Sequence, residues 1–177
     1  MHRSRTANLL GAAAQGLFDH MRAGISGAAP LSDSAAAALV LLSQRGGIGA
    51  SELGRRLGIT QSAAVRMIEG LERDALLRRG PRAGRSVAVE LTDRGRRMAQ
   101  DLLEIRDRSL EPVVSSLTTE EQEQLEALLV KLLPWLHHQP GDADRLCRLC
   151  DRAACVTGGA ICPVGQAERD SRTEPRG

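Results

Sequence analysis

Tyrosine is absent from this 177-residue chain, and Phe18 and Trp135 are its only aromatic residues. Such a chain has no aromatic platform on which unpaired bases could stack, which argues against RNA-binding modules and for groove reading of duplex DNA. Its core must be filled by Leu, Ala and Val, and a chain that is 42% apolar can do so. Lysine is nearly missing too: Lys131 is the single one, so positive charge is carried almost entirely by arginine. No cysteine precedes Cys147, which confines thiol chemistry to one C-terminal stretch. The apolar stretches are too short or too interrupted to span a bilayer. Arg3 and Arg5 precede the run LLGAAAQGLF, but Gln15 interrupts it, Asp19 and His20 follow, and no small-residue cleavage pattern appears. The expectation is a cytoplasmic protein with no membrane partner. Enzyme signatures are also missing: there is no G-x-S-x-G elbow, H-E-x-x-H pair, P-loop, or G-x-G-x-x-G after a strand. Glu120, Glu121 and Glu123 read as the acidic first turn of a helix rather than catalytic carboxylates.

What is present is an uneven charge. Between Ser51 and Arg97 eleven arginines face six acids, about +5 in a chain whose total is +2, so the remainder is about −3. This asymmetry suits a nucleic-acid surface, although an arginine habit leaves some of these side chains merely solvated.

In the same segment the apolar spacing changes twice. Leu53, Leu57, Ile59, Ala64, Ile68 and Leu71 recur at gaps that put one side of two helices into a core. Gly58 breaks the first helix and Thr60 caps the second. After Leu76 and Leu77 the period drops to two, with Val87, Val89 and Leu91 alternating against Ser86, Ala88 and Glu90. That pattern predicts two strands around a turn-prone tip, Gly80 to Gly84, before Thr92 caps another helix. The order is that of a winged helix-turn-helix. Thr60, Gln61, Ser62, Ala63, Val65 and Arg66 then face outward at the start of the second helix, where Gln and Arg can form paired hydrogen bonds to base edges in a major groove. Arg82 and Arg85 fall on the hairpin, where a guanidinium can enter a minor groove or grip phosphate.

The flanks predict further helices. Leu9, Leu10, Ala13, Ala14, Leu17, Phe18 and Met21 share a helical face, ended by the small residues from Gly24 to Pro30. The run from Asp33 to Gln44 is apolar enough to require burial, and Gly46-Gly47 closes it. Met98, Leu102, Ile105, Leu110 and Val113 line a long helix with a break near Pro112 to Leu117. Thr118-Thr119-Glu120-Glu121 then resembles a capping box ahead of Leu125, Leu128, Leu129, Leu132, Leu133 and Leu136. Little else in the chain can cover that stripe, so a second subunit is expected to. The predicted fold is mainly α with a small β-hairpin wing, a winged helix-turn-helix plus N- and C-terminal dimerisation helices. Its divisions are an N-terminal helix at 1–30, the DNA-binding domain at 31–97, C-terminal helices at 98–138, a cysteine-rich tail at 139–165 and a disordered end at 166–177.

The stretches SELGRRLGI, TQSAAVRMIEGLERDALLRR and the hairpin leading into ELTDRG resemble the winged helix-turn-helix of the MarR family of bacterial transcriptional regulators. With its flanks the resemblance covers roughly residues 5–138. It implies a homodimer whose terminal helices interlock, two recognition helices reaching major grooves about one turn apart, a palindromic operator, and a small-molecule effector in the cleft between dimer and DNA-binding regions. Two positions depart from the family. An Asp usually stands two residues before the wing arginine, where this chain has Ala83-Gly84-Arg85. A Gly is common after the recognition helix, where this chain has Ala75.

All four cysteines lie within Cys147-Arg-Leu-Cys150-Asp-Arg-Ala-Ala-Cys155-Val-Thr-Gly-Gly-Ala-Ile-Cys162-Pro163. The pair in C-x2-C can chelate one metal, and Cys155 and Cys162, with Gly158 and Gly159 folding the chain back, can complete a sulfur cage. The spacing is similar in style to the four-cysteine loop of SoxR-type iron–sulfur sensors and to the structural zinc lobe of alcohol dehydrogenases. One metal centre is expected on Cys147, Cys150, Cys155 and Cys162, with zinc slightly preferred over an iron–sulfur cluster because it needs no assembly machinery; a thiol switch without metal is the alternative. His137 and His138 could substitute as ligands or simply end a helix. Together these readings give a DNA-binding regulator, of the repressing kind, responsive to metal, redox state or a small ligand. The contrasting reading is a redox or iron–sulfur protein that uses the winged helix as a protein-interaction module.

Overall fold

The computed structural model describes residues 4–83 and 86–173. Helix α1 spans Arg5–Ala28 and α2 spans Asp33–Arg45. The Ser32 hydroxyl accepts from the Ala35 N–H at 3.2 Å to open α2, and Gly46, with φ of +74°, closes it. Every residue from Ala35 to Leu42 is buried, as so apolar a run requires, and Leu39 is wholly inaccessible at the centre of the core. Packed around α2 are Leu53, Ile68, Leu71, Leu76, Leu77, Val89, Leu91, Ala99 and Leu102. No aromatic side chain belongs to this cluster.

Strand β1 (Ile48–Gly49) leads into α3 (Ala50–Leu57), which ends at Gly58 in the left-handed conformation, φ +68°. Helix α4 (Gln61–Arg73) follows, then β2 (Leu77–Ala83) and β3 (Ser86–Leu91). The sheet is antiparallel in the order β1-β3-β2. Two strands were expected and a third is present. Ile48 and Gly49 are too few to show a period, and they pair with Val89 and Ala88 some forty positions away. The hairpin tip is also shorter than expected: past a register shift between Arg79 and Arg82, pairing resumes at Arg82 with Val87 and at Ala83 with Ser86. The shift contains Pro81, which has no N–H to give a ladder.

Ala75 occupies the position where a Gly is common and adopts φ +55° to turn α4 into β2. The Leu76 N–H donates to the Leu71 carbonyl at 2.8 Å, closing the helix, and the Thr92 hydroxyl donates to the Ala75 carbonyl at 2.7 Å. That same hydroxyl accepts from the Gly95 N–H at 3.0 Å to open α5 (Asp93–Val114). Helix α5 continues through Pro112, which removes only one hydrogen bond close to its end, so the break falls at 115–118 rather than at the proline. Helix α6 (Thr119–Leu132) opens with the expected capping box, Thr118 and Glu121 bonding each other's backbone N–H groups. It continues into a 3-10 turn, Leu133–Leu136.

The C-terminal segment departs most from expectation. Helices α7 (Asp142–Leu146), α8 (Arg152–Cys155) and α9 (Pro163–Thr173) form a lobe, and α9 occupies 166–173, where disorder was expected from the charge and lack of an apolar stripe. Its order comes from polar anchoring. Glu168 accepts from the Gly141 N–H at 2.8 Å, bonds the His137 ring at 2.8 Å and pairs with Arg172, while Val164 is buried.

Candidate nucleic-acid interface and cysteine cavity

Helix α4 is set by its cap and by a close approach. The Thr60 hydroxyl accepts from the Ala63 N–H and lies 3.2 Å from the Ser62 hydroxyl. Buried Gly54 lets α3 press against α4: a Cβ there would stand 3.0 Å from the Ala64 Cβ and 3.3 Å from the Ile59 carbonyl. With Ala64, Ile68 and Leu71 buried, Thr60, Gln61, Ser62 and Arg66 are exposed, and Ala63 and Val65 are half-buried beside them. The exposed set offers paired donors and acceptors next to small residues, the chemistry of base-edge reading. Gly54 was not singled out from sequence; a small residue inside an otherwise good helix was the available signal.

Two wing arginines serve structure. Arg78 pairs with Glu90 at 2.6 Å across the hairpin, and Arg79 pairs with Glu72 of α4 at 3.1 Å, fixing the base of the wing to the recognition helix. Arg82 lies in β2 beyond the register shift, with its side chain outside the described residues, and Arg85 lies outside them altogether.

All four cysteines line one cavity of about 380 Å³, together with Leu41, Gln44 and Arg45 of α2. The sulfurs of Cys150 and Cys155 are 3.3 Å apart, and Cys162 Sγ accepts from the Gly165 N–H at 3.3 Å. Among the described residues, no group of three or more His, Cys, Asp or Glu side chains is arranged to hold a metal ion. The thiols differ in acidity. A hydrogen bond with Cys150 lowers Cys147; the same bond, then burial, raises Cys150; burial, then the Cys150 contact, pushes Cys155 up to about 12. His137 is not among the residues that line this cavity, and its ring is buried against Glu168.

The lobe grips the DNA-binding domain through one carboxylate. Buried Asp144 receives Arg56 Nη1 of α3 at 3.0 Å on both its oxygens and Arg45 of α2 at 3.1 Å, while Arg56 also reaches Glu52 at 2.7 Å. Gln44 Nε2 donates to the Cys150 carbonyl, and Leu149 packs against the core. Nothing in the local sequence links Asp144 to residues some ninety to a hundred positions earlier.

The family model described as MarR family matches residues 31–84, from the start of α2 into the wing. The chain has the MarR winged helix fold. Among solved structures, a MarR family protein from Bacillus stearothermophilus is 27% identical with a TM-score of 0.64, the match covering 72% of this chain and 89% of that one. A MarR family protein of Mycobacterium tuberculosis in complex with salicylic acid is 26% identical, with a TM-score of 0.57 and coverage of 74% and 98%. The same protein in complex with DNA is 25% identical, with a TM-score of 0.61 and coverage of 73% and 98%. Comparison with curated proteins found no match.

Two further features of the MarR-type fold bear on function. Helix α6 buries none of its residues in this chain and presents Leu125, Leu128, Leu129, Val130 and Leu132, with Trp135 beyond it 81% exposed. Between α1 and α5 a cleft of about 550 Å³ is lined by His20, Met98, Asp101, Ile105, Arg108 and Ser109. Gly24 sets the approach of these helices, since a Cβ there would stand 2.8 Å from the Ser109 hydroxyl. No helix among the described residues is long and apolar enough to cross a membrane.

Proposed function

We propose that this chain is a homodimeric MarR-type transcriptional regulator that represses by binding a palindromic duplex. The observation that carries the reading is α4: capped by Thr60 and buried along Ala64, Ile68 and Leu71, it leaves Gln61, Ser62 and Arg66 exposed on one contiguous surface. Arg82 and Arg85 of the wing are assigned to backbone or minor-groove contact beside it. A relative of this fold has been crystallised with DNA, which supports the same use here.

The uncovered leucines of α6 and the exposed Leu9, Leu10 and Phe18 of α1 support dimerisation, because monomers rarely leave so many large apolar side chains to water on the same helices. The cleft between α1 and α5 suits a small aromatic acid, with Arg108 as the carboxylate partner, and a salicylic acid complex of a relative favours that class. Binding to palindromic duplexes should weaken steeply with salt. Arg66→Ala should cost about 1–3 kcal/mol, read as a 5- to 150-fold rise in Kd. A dimer that binds no duplex at any salt concentration would reject this reading in favour of a protein-interaction module.

A further inference from the structure

We infer that the cavity between α2 and the α7–α9 lobe is a zinc site built by Cys147, Cys150, Cys155 and Cys162, and that its filling is transmitted to the helix-turn-helix through Asp144. Every cysteine of the chain lines this one cavity, although fifteen positions separate the first from the last. Gly158 and Gly159, at φ of +67° and +82°, reverse the chain between Cys155 and Cys162 and so return the fourth sulfur to the others.

Zinc–sulfur bonds of about 2.3 Å in a tetrahedron place sulfurs roughly 3.8 Å apart. Cys150 and Cys155 already stand at 3.3 Å, and the Gly165 N–H on Cys162 is the kind of outer-shell donor that orients a thiolate ligand. Binding four thiols to one zinc ion releases four protons to solvent, moves no electrons, and leaves a net charge of −2. Arg45, Arg152, Arg169 and Arg172 line the same cavity with Asp144 and Glu168, which pair with Arg45 and Arg172, so the surplus of cations that offsets that charge is Arg152 and Arg169. The sulfurs do not converge fully as they stand. One step between staggered χ1 wells moves a cysteine sulfur by roughly 3 Å, so zinc binding calls on side-chain rotation within this cavity.

That closure acts on a coupled element. The Cys147 N–H, just past the end of α7, donates to the Ala143 carbonyl in its first turn, and the next residue of α7, Asp144, is held by Arg56 of α3 and Arg45 of α2. The Cys150 carbonyl is held by Gln44. Drawing the sulfurs together therefore pulls on both helices that support α4.

The metal part of this inference is independent of the regulator reading; the transmission part rests on it. Full-length dimer purified anaerobically should retain one zinc per chain by elemental analysis. After chelation it should take up one cobalt ion per chain with thiolate-to-cobalt absorption in the near ultraviolet. Cys155→Ser should weaken uptake by at least about tenfold. Lack of zinc and of cobalt uptake, or iron with labile sulfide in its place, overturns the site. Zinc should then change duplex affinity by at least about fivefold, and both Asp144→Asn and Gln44→Ala should reduce that change while leaving one metal per chain. An unchanged zinc effect in Asp144→Asn overturns the route through α7. Metal uptake without duplex binding by any form counts against the regulator reading and against transmission, and leaves the zinc site standing.

Discussion

Ala75 holds φ +55°, a conformation that costs an L residue with a Cβ about 1–2 kcal/mol. The Leu76 N–H on Leu71 and the Thr92 hydroxyl on the Ala75 carbonyl hold it there. Ala75→Gly should relieve the strain at some cost in unfolded-state entropy, giving a net gain of about 0.5–1 kcal/mol and a higher thermal midpoint with DNA affinity unchanged. Gly95 is the opposite case. A Cβ there would lie 2.0 Å from the Leu76 carbonyl oxygen, a backbone atom that cannot move aside without displacing β2 from α5. Gly95→Ala should cost about 3 kcal/mol or more, read as a lower denaturant midpoint.

At the scale of elements, α9 is held by charge where α2 is held by burial. Burial raises the Glu168 carboxyl, but the His137 ring, the Gly141 N–H and Arg172 outweigh it and bring it from an ordinary 4.5 to about 2. A carboxylate whose folded pKa is depressed contributes stability above its unfolded value and loses it as pH falls toward its folded one. The anchoring of α9 should therefore weaken between about pH 4.5 and about 2, and Glu168→Gln should flatten that dependence in hydrogen exchange of α9. Helix α6 makes a different prediction. Leu128→Arg places a charge in the uncovered leucine face, so sedimentation should show monomers while helical content is retained. Affinity for a full palindrome should fall far more than affinity for a half-site.

For the whole molecule, two reading heads on the proposed dimer would demand a fixed separation. Half-sites one helical turn apart place both grooves on one side of the duplex. Inserting about five base pairs between them rotates one half-site to the far side and should reduce binding to that of a single half-site, measured by titration at constant salt.

What the sequence determined by itself was local. The caps at Thr60, Thr92 and Thr118 each engage an N–H three residues on, and Gly58 ends its helix where a left-handed residue is needed, so a few neighbouring residues suffice to read them. The buried run of α2 follows in the same way, from its unbroken apolar character, whereas β3 does not alternate in burial as its spacing suggested: Ala88 is buried with Val89 and Leu91, and Val87 is only half-buried. The tertiary structure decided what depends on distant partners. It paired Ile48 and Gly49 with β3, ordered a charged C-terminal helix through Glu168, and set Asp144 between Arg45 and Arg56. Periodicity records which face of an element is apolar; it carries no record of which buried carboxylate will meet which guanidinium, because that choice is made only when separate elements pack.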